Sequence, residues 1–307
     1  MTQDLIRKMG ENGYQARVVK IERLDELRDE IETGHERGFL SEALYDRWLA
    51  GFVFAPPGDL PRARSIIIVA VGQPHFRFTF MYNDNRIPLI VPPTYLQSRE
   101  TRELAANTLA EVLTPKGYRV LPAIVPAKLL AVRSGLADYG RNNITYVDGT
   151  GSYHRLLAFY SDLPCERDDW RAPTMMERCE DCVACINACP TDAIARERFL
   201  LYADKCVTFY NEEPSDVLFP EWINPSSHEL LVGCLRCQRV CPENKGAAEW
   251  VEDGAEFTAD ETKLLLDGTP RDRLPDTMVK KMEESDLFEI FEVLPRNLRV
   301  LLGRAKS

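Results

Sequence analysis

The chain has 307 residues with 45% hydrophobic, 28% charged and 9% aromatic side chains, which excludes collagen-like, low-complexity and disordered classes and predicts one or two folded domains. A chain of this length buries about three quarters of its unfolded surface, so its nine cysteines are not needed merely to staple a core. The net charge of −10 argues against a protein whose main task is to grip a phosphate backbone, although it leaves room for a local basic groove.

The N-terminal stretch MTQDLIRKMGENG mixes charge into every turn and does not read as a secretory signal. The longest apolar run, Ile66 to Val71, falls far short of the roughly 20 residues that span a bilayer. A cytoplasmic protein with no membrane partner is the expectation. Leu24, Leu27 and Ile31 recur at helical spacing, and Ile66 to Val71 reads as a buried strand. A helix is predicted over about Gln97 to Leu113, with Ala105, Leu109, Val112 and Leu113 on one face and Pro115-Lys116-Gly117 as its stop. The next strand is predicted over Tyr118 to Val125, where Pro122 argues for an edge position or a break. Pro126 then suits the first turn of a helix carrying Leu129, Leu130 and Val132 on to Gly135. Strands alternating with helices imply a layered α/β domain.

Asp138 to Tyr153 is rich in Gly, Asn, Asp and Thr, a composition that suits a ligand cradle and a long surface turn equally. Ser161 to Glu177 reads as a linker. After Cys241 the pattern is helical again, with Thr258 and Glu261 spaced as a capping box before Leu264, Leu265 and Leu266. The first 164 residues contain no cysteine and residues 165 to 241 hold all nine, so the predicted division is 1–164, 165–250 and 251–307.

Cys179-x2-Cys182-x2-Cys185-x3-Cys189-Pro190 follows the bacterial ferredoxin run, in which three thiolates hold one [4Fe-4S] cube and the fourth leaves for another. Downstream, Cys234-x2-Cys237-x3-Cys241-Pro242 repeats the pattern, and Cys206 stands where a remote ligand is needed. Crossing the fourth ligands assigns Cys179, Cys182, Cys185 and Cys241 to one cluster and Cys189, Cys206, Cys234 and Cys237 to the other. Cys165 is left over as a plain thiol. Two zinc sites or disulfides are the competing readings. A reducing compartment disfavours disulfides, and zinc gives no reason for the triple run or for the doubled Cys-Pro.

These motifs, with Leu60-Pro61-Arg62-Ala63-Arg64-Ser65-Ile66, Ala131-Val132-Arg133-Ser134-Gly135-Leu136, Gly140-Arg141-Asn142-Asn143, Gly151-Ser152-Tyr153 and Pro295-Arg296-Asn297-Leu298, resemble the epoxyqueuosine reductase family, which is related to the reductive dehalogenases. The resemblance implies an α+β or α/β fold: a nitroreductase-like cobalamin-binding domain, then a ferredoxin-like double [4Fe-4S] module and a short C-terminal helical tail. It implies an iron–sulfur oxidoreductase that passes electrons through two [4Fe-4S] clusters to a bound cobalamin. The expected partners are an electron donor such as ferredoxin or flavodoxin and a small or unidentified substrate. The alternatives are epoxyqueuosine reduction on tRNA and a cobalt-free electron-transfer protein.

Gly140, Arg141, Asn142, Asn143, Gly151 and Ser152 are the cofactor-binding residues that the resemblance implies. Three departures from the family pattern shape the rest. Where such proteins carry an Asp proton donor, this chain has Leu121-Pro122-Ala123-Ile124, and Ala137-Asp138-Tyr139 replaces the usual residues before Gly140. The chain also ends at Ser307, without the longer helical repeat region common in tRNA-gripping members, which with the acidic charge disfavours tRNA. Tyr95, Tyr146 and Tyr153 become the candidate proton sources, with Asp138 and Arg141 as a candidate polarising pair. The segment Arg86 to Tyr95 is expected to cover a corrin face or form a dimer contact. No histidine sits in a cobalt-ligand motif: His35, His75 and His228 read as surface or loop residues.

Overall fold

A computed structural model describes residues 1–304. The chain forms two compact units that interleave along the sequence. Unit 1 takes Met1–Gln73, Arg99–Ala184 and Ile194–Asp204, and unit 2 takes Pro74–Ser98, Cys185–Ala193 and the chain from Lys205 onward. No helix among the described residues is long and apolar enough to cross a membrane.

Unit 1 is built around β2 (Ser65–Gly72), which pairs antiparallel with β1 (Tyr14–Lys20) on one side and β8 (His154–Ser161) on the other. The short β5 (Val120–Pro122) adds only to β8, so the sheet order is β1-β2-β8-β5. Ile66, Ile68 and Ala70 pack against Leu24 and Leu27 of α2 (Arg23–Glu36) and Leu129, Leu130 and Val132 of α5 (Ala127–Arg133). Their neighbours Ile67, Val69 and Val71 pack on the opposite face against Leu5 and Met9 of α1 (Thr2–Glu11) and Ala105, Leu109 and Leu113 of α4 (Ser98–Leu113). A strand covered on both faces must be apolar at every position rather than at alternate ones, which explains the uninterrupted Ile66 to Val71 run. Truncating one of these fully buried residues, such as Ile67, to Ala costs about 2 to 5 kcal/mol.

The strand predicted over Tyr118 to Val125 shrinks to three residues. Pro122 has no N–H to donate, and it sits on the outer edge of the sheet where none is needed. A brief α3 (Glu42–Leu44) runs into a π turn at Tyr45–Leu49.

Unit 2 holds a second sheet. β3 (His75–Tyr82) and β4 (Asn85–Val91) form a hairpin whose turn residues Asn83 and Asp84 both take positive φ, 49° and 60°, as a two-residue turn between twisted strands requires. β9 (Val251–Phe257) joins β3 in parallel, giving the order β4-β3-β9. Phe76, Phe78 and Phe80 of β3 enter a core shared with α9 (Ala259–Leu266), α10 (Asp276–Glu284) and α11 (Leu294–Arg304), and Phe80 stacks on Phe257 with ring centroids 5.1 Å apart. Both halves of the capping box form at α9: Thr258 Oγ1 accepts from the Glu261 N–H, and the Glu261 carboxylate accepts from the Thr258 N–H. The expected covering segment at Arg86 to Tyr95 is therefore, through Val91, a strand with Leu89 and Val91 in the core. The region after Cys241, expected to be helical, contains β9 as well.

Candidate functional site

The Gly- and Asn-rich stretch is a built hairpin rather than an irregular loop. β6 (Asp138–Tyr139) pairs with β7 (Thr145–Tyr146), and the turn closes with Gly140 N donating to Ile144 O at 2.8 Å and Asn143 N donating to Gly140 O at 2.9 Å. Asn142 caps it from within: its Oδ1 accepts from Ile144 N at 3.3 Å and its Nδ2 donates to the Tyr146 hydroxyl at 2.9 Å. Glycine is required at 140, since a Cβ there would lie 2.5 Å from Tyr146 Cε2.

This hairpin fixes the first cysteine loop. Met176 N donates to Tyr139 O, and Cys179 N donates to Met176 O, both at 2.9 Å. The Arg141 guanidinium, itself buried, donates to the carbonyls of Cys179, Glu180 and Cys182. Asp138 pairs with Arg171 at 2.6 Å and accepts from Thr174 Oγ1 at 3.2 Å. The expected polarising pair is thus not brought together: Asp138 and Arg141 each hold a different part of the segment leading into Cys179 and Cys182.

Gly151, Ser152 and Tyr153 continue the same construction. Gly151 O accepts from Val147 N at 2.9 Å and from His154 Nδ1 at 3.1 Å, which leaves His154 Nε2 to accept from Thr145 Oγ1 at 3.1 Å. Burial, opposed only by the bond to Gly151, pulls the His154 pKa down to about 4, so the ring is neutral. Ser152 and Tyr153 are buried, as are His75 in β3 and His228, which the sequence reading left as surface or loop residues.

A cavity of about 890 Å³ opens in unit 1. Its walls come from Glu26 and Glu30 of α2, Phe39, Arg133 of α5, Tyr139 and Arg141 of the hairpin, Pro173 to Met175, and the segment Arg196 to Leu200. That segment is held by Arg198 donating to Phe39 O at 2.7 Å and by the Phe199 ring set edge-on to Tyr139. Burial raises the Glu30 carboxyl above its ordinary range, with Arg133 at 3.4 Å pulling the other way. The Tyr139 phenol is raised first by burial and then by the Glu30 charge. Of the residues singled out in the sequence, Arg141 lines this cavity, and Asp138, Tyr146 and Tyr153 are not among its lining residues. Glu30 carried no sequence signal beyond its place on an amphipathic helix.

Six cysteines lie in unit 2. Cys185 lies in the first turn of α6 (Ala184–Ala188) and Cys189 follows its end, Cys206 caps α7 (Val207–Asn211), Cys237 sits in α8 (Arg236–Arg239), and Cys241 precedes Pro242. Cys189, Cys206 and Cys234 lie within electrostatic reach of one another. Burial pushes the Cys206 and Cys234 thiols up, Cys234 to about 11. Against that, the N–H groups of Thr208 and Phe209 and the Thr208 hydroxyl point at the Cys206 sulfur, and the Arg236 N–H points at Cys234, as thiolate ligands require. No trio of His, Cys, Asp or Glu among the described residues converges as a single metal ion would demand. The spacing of these cysteines suits cubes, whose thiolates each hold a different iron.

Two residues that the sequence offered only as part of Pro295-Arg296-Asn297-Leu298 secure this module. Arg296 donates to the carbonyls of Tyr210, Pro214 and Val217 and lies 4.0 Å over Phe219, while Asn297 Nδ2 donates to Asn211 O and Leu231 O, each at 2.9 Å. Cys165 stands apart in unit 1, its thiol near Val18 O and Arg167 O.

Residues 178–244 match the family described as a 4Fe-4S double cluster binding domain, a span that includes all eight paired cysteines. An epoxyqueuosine reductase of Staphylococcus aureus is 27% identical over 231 residues, 72% of this chain and 58% of the relative. One of Xanthomonas campestris is 33% identical over 234 residues, 70% of this chain and 63% of the relative, so the chain spans about three fifths of these curated relatives. A solved epoxyqueuosine reductase, bound to an epoxyqueuosine-modified tRNA-Tyr stem loop, shares the mixed α/β fold with a TM-score of 0.67 at 20% identity, covering 99% of this chain and 81% of that one. Over about 70% of its length the chain is similar to the epoxyqueuosine reductases, and it carries a 4Fe-4S double cluster binding domain.

Proposed function

We propose that this protein is a cytoplasmic iron–sulfur reductase that takes single electrons from a ferredoxin- or flavodoxin-type donor through two [4Fe-4S] clusters to a cobalamin, and reduces epoxyqueuosine in tRNA. Cys179, Cys182, Cys185 and Cys241 hold one cluster, and Cys189, Cys206, Cys234 and Cys237 the other. The observation that carries the reading is the crossed cysteine pattern together with the N–H groups aimed at the Cys206 and Cys234 sulfurs. The tRNA substrate, which the acidic net charge disfavours, is supported by the relatives and by the stem-loop complex of one of them.

The cavity in unit 1 suits a corrinoid in size and chemistry: aromatic walls from Phe39, Tyr139 and Phe199, and charged groups along the rim for the amide side chains of the ring. A cobalamin bound there would supply low-potential reduction chemistry, while the protein supplies position, water exclusion and a proton. Gly140, Asn142 and Asn143 shape the hairpin, Gly151 and Ser152 back it, and Arg141 fixes one wall to the cysteine loop. Glu30 Oε holds the proton: its carboxyl stays protonated to higher pH than a surface glutamate and takes the place of the carboxylate missing from Leu121-Pro122-Ala123-Ile124. That missing carboxylate also favours a second reading, in which the same machinery acts on a small molecule.

The test is anaerobic reconstitution followed by three measurements. Iron is counted against about eight per chain, cobalamin retention is read by cobalt(II) EPR, and epoxyqueuosine loss is followed on modified tRNA. Full iron, retained cobalamin and turnover support the proposal. Retained cobalamin without turnover on tRNA moves the substrate to the second reading, and full iron without cobalamin leaves an electron-transfer protein.

A further inference from the structure

Tyr95 follows β4 in unit 2, and its hydroxyl donates to the Glu212 carboxylate in a short hydrogen bond. The hydroxyl is enclosed and lies within electrostatic reach of Cys206 and Cys234. It also rests on the loop that carries Cys234: a Cβ built on Gly233 would meet Tyr95 Oη at 3.0 Å and its Cε2 at 3.1 Å, and Gly233 has φ +70°. Glycine is required there on both counts. Glu212 ends α7, the helix that Cys206 begins. The hydrogen bond therefore ties the end of the helix leaving Cys206 to Tyr95, whose ring packs against the turn entering Cys234.

An iron–sulfur cluster gains one negative charge on reduction, and its potential follows the charges and hydrogen bonds around it. A fixed carboxylate nearby opposes that added electron, the more so where water is excluded. We propose that Glu212 lowers the reduction potential of the cluster held by Cys189, Cys206, Cys234 and Cys237, and that Tyr95 is the positioning residue that fixes its carboxylate there. The inference rests on the ligand assignment proposed above. A lower potential makes this cluster a stronger electron donor toward the cofactor.

The experiment is an EPR-monitored redox titration of the full-length protein carrying both clusters, with no corrinoid or substrate added. The Cys206→Ser variant identifies the relevant signal; if that variant keeps full iron and both signals, the ligand assignment fails before the inference is reached. With the signal identified, Glu212→Gln is expected to shift its midpoint upward and leave the other cluster unmoved, while Glu212→Asp, shorter but still charged, stays near the wild-type value. A purely structural role predicts the reverse order, because Gln matches Glu in shape and Asp does not. An unchanged midpoint in Glu212→Gln, or an equal shift of both clusters, overturns the inference. Should Glu212→Gln lose the cluster, Glu212→Asp decides: a wild-type midpoint upholds the role of the charge, and a displaced one ends it.

Discussion

The Asn211 side-chain amide clasps Gly233 in both directions, donating to its carbonyl at 2.6 Å and accepting from its N–H at 2.9 Å. Asn211 lies five residues after Cys206 and Gly233 adjoins Cys234, and Asn211 is fully buried. The clasp satisfies a donor and an acceptor that no helix or strand supplies. Asn211→Leu, close in volume, is expected to destabilise unit 2 by about 2 to 4 kcal/mol through the orphaned Gly233 groups. Iron should fall toward about four per chain as the Cys206 and Cys234 cluster is lost; iron analysis and the chemical-denaturation midpoint read the two effects.

Arg141 plays the corresponding part at the first cysteine loop. Because its guanidinium serves three carbonyls at once, Arg141→Ala strands them in a buried site. The expected cost is about 2 to 4 kcal/mol, with loss of the EPR signal of the Cys179 cluster. Arg141→Lys, lacking the planar fork, should rescue only part of it. A full signal in Arg141→Ala would show that the loop holds itself.

His154 gives the fold a pH dependence. Its folded pKa of about 4 lies below the ordinary histidine value of 6.5, so between these values the unfolded chain binds a proton that the folded chain refuses. Stability from this group is complete above about pH 6.5 and falls as pH drops toward 4, by roughly 3 kcal/mol in all. Below that both states are protonated and the loss stops. Denaturation midpoints measured from pH 4 to 7 should show this slope, and His154→Gln should flatten it.

Among the cysteines, Cys182→Ser and Cys237→Ser are each expected to lose one cluster, taking iron from about eight to about four per chain. Melting temperature should fall with the lost cross-link between loops. Cys165→Ser should change neither, since its thiol faces backbone carbonyls in unit 1.

Local signals in the sequence survive into the structure where one element determines its own form. Ile66 to Val71, the helix ending at Leu113, the Pro126 helix start and the Thr258 capping box all needed no distant partner to be read. β9 could not be read this way. Val-Glu-Asp-Gly-Ala-Glu-Phe is mostly polar and half exposed, and becomes a strand only because β3 lies beside it. The partners of Asp138 and Arg141 were hidden for a related reason. Arg171 and the carbonyls of the first cysteine loop lie more than 30 residues away, and no local pattern points to them.

The parallel pairing of β3 with β9 also sets a clock. His75 bonds to Trp250, 175 residues further along, and a ribosome adding about 5 to 20 residues per second needs roughly 10 to 35 s to deliver that partner. Until then the Phe76, Phe78 and Phe80 hairpin has emerged with one edge open and its apolar face uncovered. Newly made chains are thus most vulnerable to mispairing before their iron–sulfur module is complete, and slower synthesis lengthens that exposure.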